Sequence, residues 1–324
     1  MTKRGPYKQI IPGSIADLVD KFRRSPRYNN WAESSRSQRD RIIGDFVARN
    51  GRVQVSALRR GNIIEMRDDL AMKVRRGKRI LGGPDAANNW LKVIRLLLAY
   101  AVDIDMVPVN VAANVERVET PNPDGLRTWR EDEIAQYLAY FDDPYEIEHR
   151  VFVLALCTGA ARSDLVKLGW LNVRGDRFVY RRQKTRRKTQ IIVDIPILPQ
   201  LAAMLETIPR TQETFLEGRQ GMRSEKALGT QFAHWVAEAG LAGLDENGKT
   251  LSLHGLRKAL ARRLAEAGAA PQEIMAVLGH ATITQAAHYS KAYDRARSAD
   301  VGLSRIGEPV ETNVVRLERK ERES

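Results

Sequence analysis

At 324 residues, with 43% hydrophobic and 29% charged side chains, the chain is long enough for two domains with cores of their own, which excludes a peptide or a small disulfide scaffold. Its 53 Lys+Arg against 40 Asp+Glu leave a formal net charge of +13 and favour a polyanionic partner. A single cysteine, Cys157, leaves no internal disulfide and no Cys-based zinc site, and the longest apolar run, Leu96 to Val102, falls far short of the roughly 20 residues that span a bilayer.

Residues 1–12 are basic, carry Pro6 and Pro12, and predict a flexible arm. The same charges and prolines interrupt the apolar stretch that a secretion signal needs, so a reducing, cytoplasmic setting without membrane contact is expected. Apolar residues then recur at spacings of three and four. They predict helices over Ile15 to Phe22, over Ser37 to Ala48 with Ile42, Ile43, Phe46 and Val47, over Val55 to Val74, and over Asp85 to Val102. Gly51 stops the second of these. Residues 13–107 therefore read as a four-helix domain. Between 108 and 127, Pro108, Pro121, Pro123 and Gly125 deny the chain regular structure and mark a linker. Residues 1–127 hold 24 Lys+Arg against 14 Asp+Glu, most of the whole excess. One cluster, such as Lys73, Arg75, Arg76, Lys78 and Arg79, is read as a solvated helix face. An excess spread over a third of the chain suggests an extended surface that meets phosphates.

A second domain is predicted over 128–300. Helices are expected at Arg130 to Tyr140, where Glu131, Asp132 and Glu133 suit the positive end of the helix dipole, and at Tyr145 to Leu156. After TGAARSDLVKLGW, alternating β-branched residues predict a hairpin of Arg177 to Arg182 and Gln190 to Ile195 around the basic turn KTRRKT. Further helices are expected at 197–207, 225–239, 254–268, 271–278 and 282–296, and residues 301–324 read as an exposed tail. The fold class is mainly α in two domains, the second mixed α+β with a small hairpin or sheet.

Three of the five histidines, His254, His280 and His288, fall in one short stretch. His254 and Arg257 form H-x-x-R at a helix start, where positions three apart share a face and both side chains can meet one small anion. His280 follows in LGH, and Tyr289 lies nine residues beyond it. Both can converge on the same phosphate. Tyr293 lies one turn beyond Tyr289 and competes with it for that place, and His288 reads as structural or solvent-facing.

LHGLR, LGH and a tyrosine at the ninth position after that histidine, preceded by TG-x-x-RSDLVKLGW and a KT-containing hairpin, resemble the tyrosine recombinase (phage integrase) family of site-specific DNA recombinases. The resemblance covers about 128–300, and the helical first domain with its linker looks like the family's core-binding (SAM-like) domain. What it implies is a reaction in which a tyrosine hydroxyl attacks a scissile phosphate, forming a 3′-phosphotyrosyl link and freeing a 5′-hydroxyl that later attacks the partner strand's link. No ATP, metal or other cofactor is implied. The resemblance assigns Tyr289 as nucleophile, Arg257 as phosphate clamp, His254 as proton acceptor or phosphate contact, and His280 as a further donor. Lys184 is the implied general acid for the leaving 5′-oxygen, with Arg186, Arg187 and Lys188 as competitors in the same turn. The implied partners are double-stranded DNA, a homo-tetramer on two sites, and an excision (directionality) factor or DNA-bending protein. Integration or excision of a mobile element in a nucleoid-associated setting is the implied role. The tail, with Val314, Val315 and Leu317, is expected either to dock on a neighbouring subunit or to stay solvated.

One position departs from the family. Its usual text is TG-x-R-x-S/G-E/D, and alignment on Thr158, Gly159, Ser163 and Asp164 leaves Ala161 where the first catalytic arginine belongs. Arg162 is adjacent, but one helical residue is a rotation of roughly 100°, which turns it elsewhere. The favoured expectation is a recombinase impaired by Ala161; a one-residue irregularity that lets Arg162 serve is the other. A non-catalytic DNA-binding or regulatory protein on a recombinase scaffold and a type IB topoisomerase are the rival functions.

Overall fold

The computed structural model describes residues 10–72, 74–76, 79–120, 125–183, 190–217, 224–245 and 248–283. The chain divides into two units at Pro123 and Asp124. In the first, the Ser14 hydroxyl accepts the Asp17 N–H at 3.3 Å and starts α1 (Ile15–Arg24), whose apolar residues Ile15, Leu18, Val19 and Phe22 all turn inward. Ser25 caps a one-turn helix, α2 (Pro26–Asn29), which the sequence reading passed over. Pro26 favours such a first turn because it has no N–H to lose. Then come α3 (Glu33–Asn50), α4 (Arg60–Ala71) and α5 (Pro84–Asp103), which share one core with α1.

The helix expected over Val55 to Val74 is broken at both ends. Val55–Ala57 form a 3₁₀ turn, and α4 starts where the Asn62 side chain accepts the Arg59 N–H at 3.0 Å. At the far end the Leu70 carbonyl is taken by the Gly83 N–H at 2.8 Å, closing a small antiparallel hairpin of β1 (Val74–Arg76) and β2 (Arg79–Leu81). The basic cluster read as a helix face therefore belongs in part to this hairpin. Residues following α5 lack regular structure but are not detached from the unit. Val107, Ala112 and Val115 are buried, Arg95 donates to the Ala112 carbonyl at 2.9 Å, and Asn88 exchanges two hydrogen bonds with Val118.

The second unit comprises α6 (Glu131–Tyr140), α7 (Ile147–Thr158), α8 (Arg162–Leu165), β3 (Val173–Arg174), β4 (Arg177–Arg181), β5 (Ile192–Pro196), α9 (Pro199–Glu206), α10 (Glu225–Glu238), α11 (Leu253–Glu266) and α12 (Pro271–Leu278). The strands form an antiparallel sheet in the order β3-β4-β5, with Phe178 opposite Ile195 and Tyr180 opposite Val193. β3, only two residues long, is too short to show alternation in the sequence. Every residue of α7 from Val151 to Thr158 is buried, so this helix is the axis of the unit. The helix expected at 282–296 and the tail lie outside the described residues. Among the described residues no helix is long and apolar enough to cross a membrane, and no group of three or more His, Cys, Asp or Glu is placed to hold a metal.

Trp129 anchors the unit. It is fully buried, edge-on to Tyr137 and Phe152, and its indole N–H donates to the Ser252 carbonyl at 2.9 Å, next to the start of α11. Trp129→Ala is expected to cost about 3–5 kcal/mol, the usual loss for emptying an aromatic site. Urea unfolding followed by circular dichroism measures it, and a loss below about 1 kcal/mol would contradict this anchoring role.

Candidate active site

Four backbone turns build the site. At the end of α7, the Thr158 hydroxyl donates to the Leu154 carbonyl and accepts the Ala160 N–H at 3.2 Å. Gly159 follows with φ +58, and a Cβ there would strike Leu278 and Leu260. Glycine alone suits both the conformation and the space. At the start of α11, the Ser252 hydroxyl accepts the Gly255 N–H at 3.3 Å. His254, in that first turn, is exposed, whereas Arg257 is 3% exposed. The Arg257 guanidinium donates through Nη1 to the Gly159 carbonyl at 2.5 Å and through Nη2 to the Leu278 carbonyl at 2.6 Å. One side chain thereby ties the TG, H-x-x-R and LGH segments together.

Gly279 ends α12 with φ +60, and its missing Cβ leaves room for Arg182 and Val193. His280 comes next, half-buried, its backbone N–H on the Met275 carbonyl at 2.9 Å. Burial first, then the charges of Arg257 and Arg182 and the His254 imidazole, push His280 down to about 4. Its ring is therefore neutral near pH 7, able to donate one hydrogen bond but carrying no charge. Because the folded state disfavours the protonated ring, the stability from its neutrality is complete above the usual histidine pKa of about 6.5 and fades as pH falls toward 4. In an NMR titration of the free protein, the His280 ring resonances are expected to stay put from pH 7.5 down to about 5. A midpoint near 6.5 would contradict this electrostatic picture.

Ala161 lies between α7 and α8, and Arg162 opens α8. The Ala161 carbonyl accepts the N–H groups of Asp164 and Leu165 at 2.7 and 2.9 Å, so Ala161 is the cap of α8, half-buried, with only a methyl to offer. Arg162 is exposed and lies across Gly229 of α10, where a Cβ would collide with its guanidinium. It is thus directed at α10, and no hydrogen bond joins it to Gly159, Leu278 or Gly279, the carbonyl groups around Arg257 and Arg182.

The structure brings His254, Arg257 and His280 together, with Ala161 at the adjoining turn. Lys184 and Tyr289 lie outside the described residues, as do His288, Tyr293, Arg186, Arg187 and Lys188. Two groups in this cluster escaped the sequence reading. Asp164, 2% exposed, accepts the Gln183 N–H at 2.8 Å, and burial raises its pKa against the opposing pull of that bond and of Arg182 and Arg257. Arg182, 7% exposed, follows β4. Its signal was present in the alternation: Phe178 and Tyr180 are the buried residues of β4, and position 182 continues their face.

Residues 127–295 match a family model described as the phage integrase family. Solved structures resemble the chain over a longer span. A lambda integrase dimer bound to a COC′ core site is 16% identical, the match covering 86% of this chain and 77% of that chain with a TM-score of 0.68. For a Tn1549 transposon integrase in complex with transposon right end DNA the values are 15%, 88%, 99% and 0.69. For a lambda integrase tetramer bound to a Holliday junction they are 17%, 85%, 77% and 0.68. At such identities the likeness is one of fold. No curated relative matches this sequence.

Proposed function

Since this chain belongs to the phage integrase family, the tyrosine recombinases, we propose that it is a site-specific DNA recombinase that cuts and rejoins duplex DNA through a 3′-phosphotyrosyl intermediate, serving integration or excision of a mobile element. The observation that carries the reading is Arg257, a buried guanidinium that joins the TG, H-x-x-R and LGH segments into one cationic pocket. An arginine fork suits two oxygens of one phosphate, and such a pocket suits the extra negative charge of a pentavalent phosphorus.

In the proposed reaction the Tyr289 hydroxyl attacks the scissile phosphorus. The bond from phosphorus to the tyrosine oxygen forms as the bond to the 5′-oxygen breaks. The tyrosine proton passes to His254, and Lys184 gives a proton to the departing 5′-oxygen. Attack by a partner strand's 5′-hydroxyl reverses these transfers. One phosphodiester replaces another, so no nucleotide need be hydrolysed. Neutral His280 donates a hydrogen bond to a phosphate oxygen. Exchange between two sites calls for a homo-tetramer, with a directionality factor or DNA-bending protein as accessory. Cleavage is slow in this reading, because Ala161 holds the place of a phosphate-gripping arginine. That same residue favours a second reading, a DNA-binding protein that no longer cleaves.

The test begins by selecting the preferred site from random duplexes and placing nicks at successive positions across it. Covalent protein–DNA complex on one of these duplexes, and strand exchange between two labelled copies, are expected. Binding without covalent complex would favour the second reading, and relaxation of supercoiled DNA without exchange would indicate a topoisomerase. The basic first third also has a measurable consequence. Residues 1–127 alone are expected to bind duplex DNA with log affinity falling by about 0.9 per phosphate contact for each unit of log salt. Equal affinity and salt slope for residues 128–324 alone would refute the assignment of most electrostatic affinity to the first third.

A further inference from the structure

Arg182 carries more donors than its surroundings use. Its side chain is 8% exposed. Nη1 donates to the Gly279 carbonyl, and Nε stands 3.8 Å from the Asp164 carboxylate, too far for a hydrogen bond. Nε is buried without a hydrogen-bond partner, and Nη2 has none among the described residues. A buried guanidinium left with donors to spare is unusual, since each unmet donor in an apolar setting is costly.

Its place in the site explains what would meet them. Arg257 holds the carbonyl of Leu278 and Arg182 that of Gly279, adjacent residues at the C-terminal, electronegative end of α12. Two guanidinium groups are thus held by adjacent carbonyls just before His280, and both act on its ring. Among the described residues a single carboxylate, Asp164, faces both. The cluster has a surplus of positive charge and of N–H donors, and an anion with several acceptor oxygens completes it. Asp164 also belongs to α8, which Ala161 caps, so Arg182 reaches from the sheet to the same short helix that begins at the missing arginine.

We propose that Arg182 supplies the second phosphate-gripping guanidinium of this site, standing in for the arginine that position 161 lacks. The cation enters from the sheet rather than from the turn between α7 and α8, and its spare Nη2 protons are directed to a phosphate oxygen, while Nε stays buried toward Asp164. The inference rests on the recombinase reading and says how the site retains cleavage despite Ala161.

The test measures the rate of covalent-complex formation on the nicked duplex, duplex affinity and thermal midpoint for the full-length chain, Arg182→Gln, Arg182→Lys, Ala161→Arg and the double variant Ala161→Arg/Arg182→Gln. Arg182→Gln is expected to slow cleavage on the order of a hundredfold, the usual loss for one transition-state donor, with duplex affinity within about twofold. Arg182→Lys keeps the charge beside Asp164 but lacks the fork, and an intermediate loss of about tenfold is expected. In the Ala161→Arg background, Arg182→Gln is expected to cost less than about threefold, because the two guanidinium groups serve one function and their losses do not add. An equal loss in both backgrounds, or a loss matched by lower affinity and thermal midpoint, would make Arg182 a strut between the sheet and α12 and overturn the proposal. Full activity in Arg182→Lys would overturn it too, even if Arg182→Gln fails to fold. Should the unmodified chain form no complex while Ala161→Arg does, the recombinase reading stands and this inference falls. Complex formation by none of the proteins would remove the recombinase reading itself.

Discussion

Tyr289→Phe is expected to abolish covalent protein–DNA complex altogether while leaving duplex affinity within about twofold, since the phenyl ring keeps the shape but lacks the oxygen that forms the bond. No other effect of a single substitution should be as large. The other groups of the site lower a barrier, and losing one leaves a slower reaction, whereas the nucleophile is consumed in the intermediate and nothing downstream exists without it. Tyr293, four residues on and therefore one helical turn away if the segment is helical as the sequence predicts, is the natural control. Tyr293→Phe should still form the complex. Protease digestion of the trapped complex, followed by mass spectrometry of the DNA-linked peptide, reads the same question directly. A link at Tyr293 would reverse the assignment and, with it, the meaning of the nine-residue spacing from His280.

Ala161→Arg should raise the rate of covalent-complex formation by about tenfold to a hundredfold, somewhat below the 10²–10³ that one transition-state donor is typically worth, because Arg182 already supplies part of that charge. Binding should hardly change. Affinity for duplex DNA is spread over many phosphates, and one added contact at a cleft already holding Arg257 and Arg182 is a small fraction of the total. The local backbone tolerates the change: Ala161 sits at φ −69 and ψ 153, an extended conformation open to any side chain, and alanine is a poor cap for α8 in the first place. Arg162→Ala provides the contrast. Arg162 lies over Gly229 on α10, so its removal should leave the cleavage rate within about threefold. A hundredfold loss in Arg162→Ala, with little gain in Ala161→Arg, would mean that Arg162 swings into the pocket on DNA and that the alignment over 158–165 is off by one.

The parts of this protein that local chemistry writes into short spans are legible along the chain. The period of α5 reads directly from Trp90, Val93, Ile94, Leu97 and Leu98, all buried as the spacing demands. Alternation marked the β4–β5 hairpin. The ordered TG, H-x-x-R and LGH segments identified the family because each reflects a fixed local need: a left-handed glycine at 159 and at 279, and an arginine one turn into a capped helix. How those segments meet is set by contacts between residues far apart along the chain. That Arg257 grips the Gly159 and Leu278 carbonyls joins positions 98 and 21 residues apart, which no window along the chain can show. The end of α4 was equally invisible, because the Gly83 N–H that caps Leu70 arrives from the far side of a hairpin. Arg182 is the sharpest case. Alternation puts position 182 on the buried face of β4, but burial of an unpaired cation is expensive, so periodicity and charge conflict there. Its burial is supported by Asp164 and the Gly279 carbonyl, 18 residues before it and 97 after, and only folding brings those partners to it.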